Sequence, residues 1–209
     1  MAEFLHAYAP VKEWEGGWCN VAGDAGGETY AGIARNYFPA WPGWAFIDAA
    51  KVHPSFRQGS RAFSRHLATI PGLQDMVTDW YRVEWWDRMG LAQFPQTVAN
   101  EIFEEAINLG RGGSGRYLQR LCNSLNYDKR KDERLFPDLV EDGAVGPKTL
   151  AALAAVLERR TSDAAVVHAL NCLQGAHYVG LGAKNFQHRQ FVDGWMTRTH
   201  CESAGEGTI

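Results

Sequence analysis

Residues 94–110 read Phe94-Pro-Gln-Thr-Val98-Ala-Asn-Glu-Ile102-Phe103-Glu-Glu-Ala106-Ile107-Asn-Leu109-Gly110. The apolar residues at 98, 102, 103, 106, 107 and 109 recur at steps of three and four, which is the helical period. They fall on two sides of the helix, so the segment is expected to run through the core rather than lie upon it. Gly110 is the natural stop.

Outward from this helix the same period returns on both sides. Toward the N-terminus, Leu73, Met76, Val77, Trp80, Tyr81, Trp85 and Trp86 predict a helical stripe within 71–89. Phe4, Leu5, Tyr8, Val11 and Trp14 predict a helix over 2–14, kinked or broken at Pro10. Between them the period lapses. Glycine and aspartate over 18–29 predict turns with a short hairpin. Residues 30–38 read as a short helix closed by Pro39 and Pro42, and 56–70 as short helix and loop. Toward the C-terminus, Ser114 is the expected cap of a helix carrying Tyr117, Leu118, Leu121, Cys122 and Leu125. Residues 126–133 are charged and expected to be solvated. Asp142-Gly143 marks a turn, Pro147 starts a helix to Arg160, and Asp163 caps a helix that Gly180 and Gly182 break. A last helix spans 186–198, with Phe191, Trp195 and Met196 facing inward. The reading is a mainly α fold, a helical domain with a small irregular or β-hairpin lobe. Residues 1–90 would carry catalysis and 91–209 a second helical region, packed into the same globule.

Composition narrows the function. The 21 basic and 24 acidic residues nearly balance and no dense basic run occurs, so nucleic acid is not an expected partner. The apolar run near 150–157 is too short and alanine-rich for a bilayer, so no stable membrane insertion is expected. Residues 1–10 lack the pattern of a signal peptide, which predicts synthesis in the cytoplasm and release or export by a separate route. The four cysteines show no metal-ligand spacing and are read as buried free thiols. The seven histidines show no HExxH spacing and are read as structural. No metal or cofactor is expected, and a monomer suffices.

The polar cluster near the front holds the candidate chemistry. It reads Glu15-Gly-Gly-Trp18-Cys-Asn20, then Asp24-Ala-Gly-Gly-Glu-Thr29-Tyr30-Ala-Gly-Ile33. Glu15 stands beside Trp14 and Trp18, where poor solvation disfavours its charged form and suits a general acid. Asp24, among glycines, is expected to stay ionised. Two carboxyls in unlike surroundings are the equipment of glycoside hydrolysis, and Thr29 is placed to hold the water. Each residue also has a bland reading: Glu15 as a solvated helix end, Asp24 as an ordinary turn, Thr29 as a cap. Trp41 and Trp44, in a Pro- and Gly-rich stretch, read as exposed platforms for sugar stacking. Trp85, Trp86 and Trp195 read as core. Asn100 and Asn108, inside the strong helix, either line the groove near Glu15 or bond to loop backbone.

These motifs resemble the front of the N-acetylmuramidases of glycoside hydrolase family 108. Downstream, Trp86-Asp87, Ala99-Asn100, Asn108-Leu109-Gly110, Leu118-Gln119-Arg120, Asn123, Asp142-Gly143, Gly146-Pro147-Lys148-Thr149-Leu150, Phe191, Gly194-Trp195 and Arg198 are similar to that family and its peptidoglycan-binding module. The resemblance covers nearly the whole chain. It implies a lysozyme-like fold, peptidoglycan glycan strands as partner, and Glu15 as the catalytic acid. It also implies cleavage of the β-1,4 bond between N-acetylmuramic acid and N-acetylglucosamine. The order Glu, Asp, Thr resembles the active site of phage-type lysozymes, though the Asp24–Thr29 gap is one residue shorter than is usual there. Cys19 stands where the family commonly has an aliphatic residue, and residues 39–60 form an extra stretch that reads as a groove wall. Substrate-binding candidates are Trp18, Asn20, Tyr30, Trp41, Trp44, Asn100 and Asn108. The alternatives are a lytic transglycosylase acting on the same bond and a non-catalytic peptidoglycan-binding protein.

Overall fold

The computed structural model describes residues 1–14, 16–159 and 162–199, with only the backbone of 13 and 14. Among these residues the protein is mainly α, with eight α-helices and one small antiparallel sheet. The chain divides into two compact units, Phe4–Trp86 and a rear unit made of Met1–Glu3 with Asp87–Ile209.

The front unit opens with α1 (Phe4–Trp14), which buries Phe4, Ala7, Tyr8 and Val11. Pro10 lies inside the helix without ending it. Leu5, counted above with the apolar face, is 64% exposed. Then come β1 (Trp18–Cys19), β2 (Thr29–Tyr30) and β3 (Ile33–Ala34), a meander in which Trp18 faces Tyr30 and Thr29 faces Ala34. The short helix expected over 30–38 is therefore corrected to a hairpin. Its turn is Ala31-Gly32, with φ of 46° and 76°. Such turns suit the twist of paired strands, but Ala-Gly is a weaker sequence signal than Asn-Gly. The Tyr81 hydroxyl donates to the Ala31 carbonyl at 3.0 Å and supports it.

The Pro- and Trp-rich stretch folds as α2 (Gly43–Ala50) and a 3-10 turn, Pro54–Gln58. Next are α3 (Ser60–Leu67) and α4 (Leu73–Tyr81), which buries Leu73, Val77 and Tyr81 at four-residue steps. A π-helical turn over Arg82–Asp87 widens the winding and leaves Trp86 buried.

The rear unit is built on α5 (Gln96–Ser124), whose helical dihedrals fail only at Gly110, with φ 74° and ψ 154°. The predicted stop is thus a kink between two helical halves. Val98, Ala99, Ile102, Phe103 and Ala106 are buried on the first half, Leu118, Leu121 and Cys122 on the second. Around it stand α6 (Pro147–Glu158), α7 (Ala164–Lys184) and α8 (Arg189–Met196).

Gly180 and Gly182 do not break α7. A Cβ on Gly182 would stand 2.7 Å from Val192 Cγ2, so this glycine admits α8 against α7 instead. Ser114 caps nothing: its hydroxyl donates to Glu105 at 3.1 Å. Asp163 makes no cap bond; it accepts from the Thr97 hydroxyl, while Ser162 accepts from the Ala164 amide. Phe191 and Met196 are exposed, while Trp195 is half-buried against Tyr178.

The segment 126–133 is not wholly solvated. Asn126 is buried and joins the amides of Leu135 and Phe136, and buried Asp128 pairs with Arg159 at 2.7 Å. Of the cysteines, Cys122 is buried, Cys19 half-buried and Cys172 exposed; Cys201 lies outside the described residues. Among the described residues no helix is long and apolar enough to cross a membrane.

Candidate functional site

Glu15 and the side chain of Trp14 lie outside the described residues. What is described is the strand lobe that follows them. β1 and β2 are joined by a turn-rich loop, and within it Asp24 folds back on its own backbone. The Asp24 carboxylate accepts the Gly26 amide at 3.1 Å, and its carbonyl accepts the Gly27 amide at 3.1 Å. Such Asx turns fix the direction of a carboxylate without engaging its second oxygen. Thr29 opens β2, and its hydroxyl donates to the Gly27 carbonyl at 3.2 Å, which leaves its lone pairs as acceptors.

Gly26 brings these two side chains together. A Cβ built there would stand 3.7 Å from both Asp24 Oδ1 and Thr29 Oγ1, and 3.0 Å from Ala34 Cβ. The missing side chain keeps a small space open between a carboxylate and a hydroxyl. Asp24 is exposed and Thr29 half-buried, so water reaches both. This arrangement can orient one water, or face a positive charge with an anion.

Around the buried Glu28 lies an ion cluster that sequence reasoning missed. Glu28, just ahead of β2, is 8% exposed. It pairs with Arg35 at 2.9 Å and Lys51 at 2.9 Å, and accepts from the Trp18 indole nitrogen at 2.7 Å. Asp48 on α2 binds the same two cations at 2.8 and 2.7 Å, and those bonds hold its carboxyl down to about 2. The cluster ties β1, β2 and α2 together. Nothing in the local pattern marks Glu28, because its cationic partners lie 7 and 23 residues away along the chain.

The aromatic candidates have structural employment. Trp18 packs edge-on against Phe56 and Phe63, with centroids at 5.5 and 5.1 Å, and its amide donates to Ser64 at 2.8 Å. Tyr30 is buried, and burial raises its pKa against the opposing effect of the 2.6 Å bond from Gln74. Trp41 and Trp44 are 7% and 4% exposed, which corrects the reading of them as sugar platforms. Trp41 packs edge-on against Trp44 at 5.1 Å and stacks on Tyr30 at 6.5 Å, while the Trp44 indole donates to the Phe38 carbonyl. Flanking Pro and Gly pointed to a loop, but α2 turns the Trp44 indole inward, and Trp41, just ahead of the helix, packs between Trp44 and Tyr30. Asn20, by contrast, is exposed after β1.

Asn100 and Asn108 belong to the rear unit and bond there. Asn100 accepts from Gln96 at 2.7 Å; Asn108 donates to Glu104 at 3.0 Å and accepts from Arg198. They stand beside three buried or half-buried carboxyls on α5. Burial pushes Glu101 up to about 7, opposed by its bond with Asn171. Glu104 also rises to about 7, through burial and then the charge of Glu101, against the pull of Arg198 and Asn108. Glu105, fully buried, is raised well above the ordinary carboxyl range by burial, against its bond from Ser114. The sequence signal for these three was the helix itself, since one apolar on two sides leaves little solvated face for its acids.

Among histidines, His177 lies 3.0 Å from the Tyr117 hydroxyl and His188 packs on Trp195. Among the described residues no group of His, Cys, Asp or Glu has metal-binding geometry.

Residues 8–110 match the family model of glycosyl hydrolase 108, and residues 114–200 that of a predicted peptidoglycan domain. The fold is similar to a solved structure, SagA of Brucella abortus, at 22% identity and a TM-score of 0.56, over 94% of this chain and 88% of that one. At that identity the likeness concerns the fold alone. No curated protein matches the chain.

Proposed function

Since this chain belongs to the glycosyl hydrolase 108 family and carries a predicted peptidoglycan domain behind it, we propose that it is an N-acetylmuramidase. It is a glycoside hydrolase that acts on peptidoglycan. The bond proposed is the β-1,4 link from N-acetylmuramic acid to N-acetylglucosamine. Glu15 donates the proton to the departing sugar oxygen, the C1–O bond breaks, and water adds at C1. Asp24 faces the positive charge that develops at the sugar ring or activates the water, and Thr29 holds that water in place. Each turnover leaves one new reducing end. Asn20, exposed beside the loop, is assigned to substrate contact; Trp18 and Tyr30 set the frame of the site.

Catalysis is assigned to residues 1–90 and hold on the wall to 91–209. The protein works as a monomer, on the wall side, after release or export by a separate route. The observation that carries the proposal is the succession of the two family matches along one chain. The Asp24–Gly26–Thr29 geometry supports it, because it sets a solvent-exposed carboxylate and a hydroxyl beside one small space where a water can be held. The test is Glu15→Gln with purified sacculi. Release of reducing ends should stop while the circular dichroism spectrum is unchanged, and undiminished release would remove Glu15 as the acid.

A further inference from the structure

The loop that carries Asp24 is held from one side by residues 35 and 36, which follow β3 directly. The Arg35 amide donates to the Glu28 carbonyl at 2.8 Å, and the Asn36 amide to the Gly26 carbonyl at 3.2 Å. The Asn36 side chain reaches one residue further back, and its Nδ2 donates to the Ala25 carbonyl at 3.0 Å. A carbonyl only accepts, so this bond fixes which end of the Asn36 amide faces the loop. Gly27 gives the room, because a Cβ there would stand 2.8 Å from Asn36 Nδ2. Asn36 thus lies against Ala25, Gly26 and Gly27 in succession.

Asn36 itself stands on a fixed base. The chain turns just after β3, where the Tyr37 and Phe38 amides both donate to the Ala34 carbonyl, at 3.1 and 2.9 Å. Its neighbour Arg35 is tied to Glu28 and Asp48, and lies over the Trp44 ring at 4.5 Å. Asn36 and Ala25 are both exposed. Water competes for both partners of their bond, so the bond adds little to the stability of the fold. What it fixes is the path of the loop at the residue next to Asp24.

We propose that Asn36 is a positioning residue for hydrolysis, which holds Ala25 and Gly26 so that the space shared by Asp24 and Thr29 stays open to a water. The inference rests on the reading of Asp24 and Thr29 as the pair that serves the water, and adds the side chain that keeps the pair in register. The Asp24 carboxylate accepts the Gly26 amide and the Thr29 hydroxyl donates to the Gly27 carbonyl. Both groups are therefore aimed by the stretch of backbone that Asn36 holds. When the side-chain bond is lost, that backbone shifts and the pair shifts with it. A displacement of about 1 Å in a reacting constellation costs up to about 100-fold in rate.

The test is steady-state cleavage of solubilised peptidoglycan strands by the full chain. Asn36→Ala should lower kcat about tenfold and leave KM within about twofold, because substrate binding is not touched. Its melting temperature should stay near that of wild type. The isosteric Asn36→Asp cannot donate to the Ala25 carbonyl and should lose kcat likewise, which keeps the test open if Asn36→Ala folds poorly. The decisive readout is a double-mutant cycle with Thr29→Val. If Asn36 acts through the pair, adding Asn36→Ala to Thr29→Val should cost less than about twofold further in kcat. A merely structural role would cost the same factor in both settings, and that result would overturn the proposal. So would an effect confined to KM. Wild-type cleavage with kcat unchanged in both Asn36 variants would sink this inference alone, whereas absence of cleavage by wild type would sink the hydrolase reading and this inference with it.

Discussion

The indole nitrogen of Trp18 donates a 2.7 Å hydrogen bond to Glu28, and the same carboxylate neutralises Arg35 and Lys51. This one contact ties β1 to the start of β2. Glu28→Gln keeps the shape but leaves Arg35 and Lys51 with Asp48 as their remaining carboxylate. Because both cations are part-exposed and keep Asp48, the loss should be about 1–3 kcal/mol, the scale of a lost charged hydrogen bond. The variant should melt several degrees below wild type, and its tryptophan emission should shift to the red as the Trp18 environment loosens. An unchanged melting temperature would show that the cluster does not hold the lobe.

Gly26 separates stability from activity. Its backbone needs no left-handed conformation, so Gly26→Ala is not strained by its dihedrals. The new methyl meets Ala34 Cβ at 3.0 Å and enters the space shared by Asp24 and Thr29. Stability should fall by about 1 kcal/mol, the scale of mild overpacking. The kcat for wall cleavage should fall by tenfold or more, because the water position is filled. A variant that cleaves at the wild-type rate would show that this space is not used in the reaction.

Legibility in the sequence followed physical range. The helices over 4–14, 73–81, 96–109 and 147–158 announced themselves because their buried residues recur at steps of three and four within one segment. The hairpin at 29–34 did not, since two-residue strands carry no period and Ala-Gly is a mild turn signal. Trp41 and Trp44 were misjudged because they pack on Tyr30, Phe38 and Arg35, all of which lie outside the stretch 39–50 and so outside α2. Gly182 was read as a breaker because glycine is a poor helix former, yet its role is set by Val192 across the helix pair. In the site, Asp24, Gly26 and Thr29 were legible since a loop of six residues holds them; Glu28, inside the same loop, acquires meaning only from distant cations.

The carboxyls of α5 predict a pH dependence. Glu101 and Glu104 carry folded-state pKa values near 7, above the ordinary 4.5. Below about pH 4.5 both folded and unfolded chains hold these protons, and no penalty exists. As pH rises from 4.5 to about 7 the unfolded chain releases them first, and stability is lost. By pH 8 the loss should reach a few kcal/mol in all. The melting temperature should therefore be several degrees lower at pH 8 than at pH 5, and Glu101→Gln should reduce that difference. A flat profile between pH 5 and pH 8 would contradict the burial of these acids.

Gln119 is a buried polar anchor of the rear unit. Its amide serves Asp142, Gly143 and Ala144 together. Gln119→Ala orphans the buried Gly143 amide, at about 1–3 kcal/mol, while the Ala144 carbonyl keeps the Gly146 amide and the Thr149 hydroxyl. Amide hydrogen exchange at 143–146 should accelerate, while exchange in the first half of α5 stays slow. Unchanged exchange at 143–146 would mean that the turn is held by its glycine packing instead.

Hydrolysis of the glycan is proposed to use the Glu15 carboxyl as acid, with Asp24 and Thr29 serving the water. The most direct measurement is the chemistry of the ends released from purified sacculi by wild-type protein and by Glu15→Gln. Wild type should release new reducing N-acetylmuramic acid ends with one oxygen from labelled water per cut, and Glu15→Gln should release none. Anhydro-sugar ends, or wild-type release by the variant, would contradict that assignment.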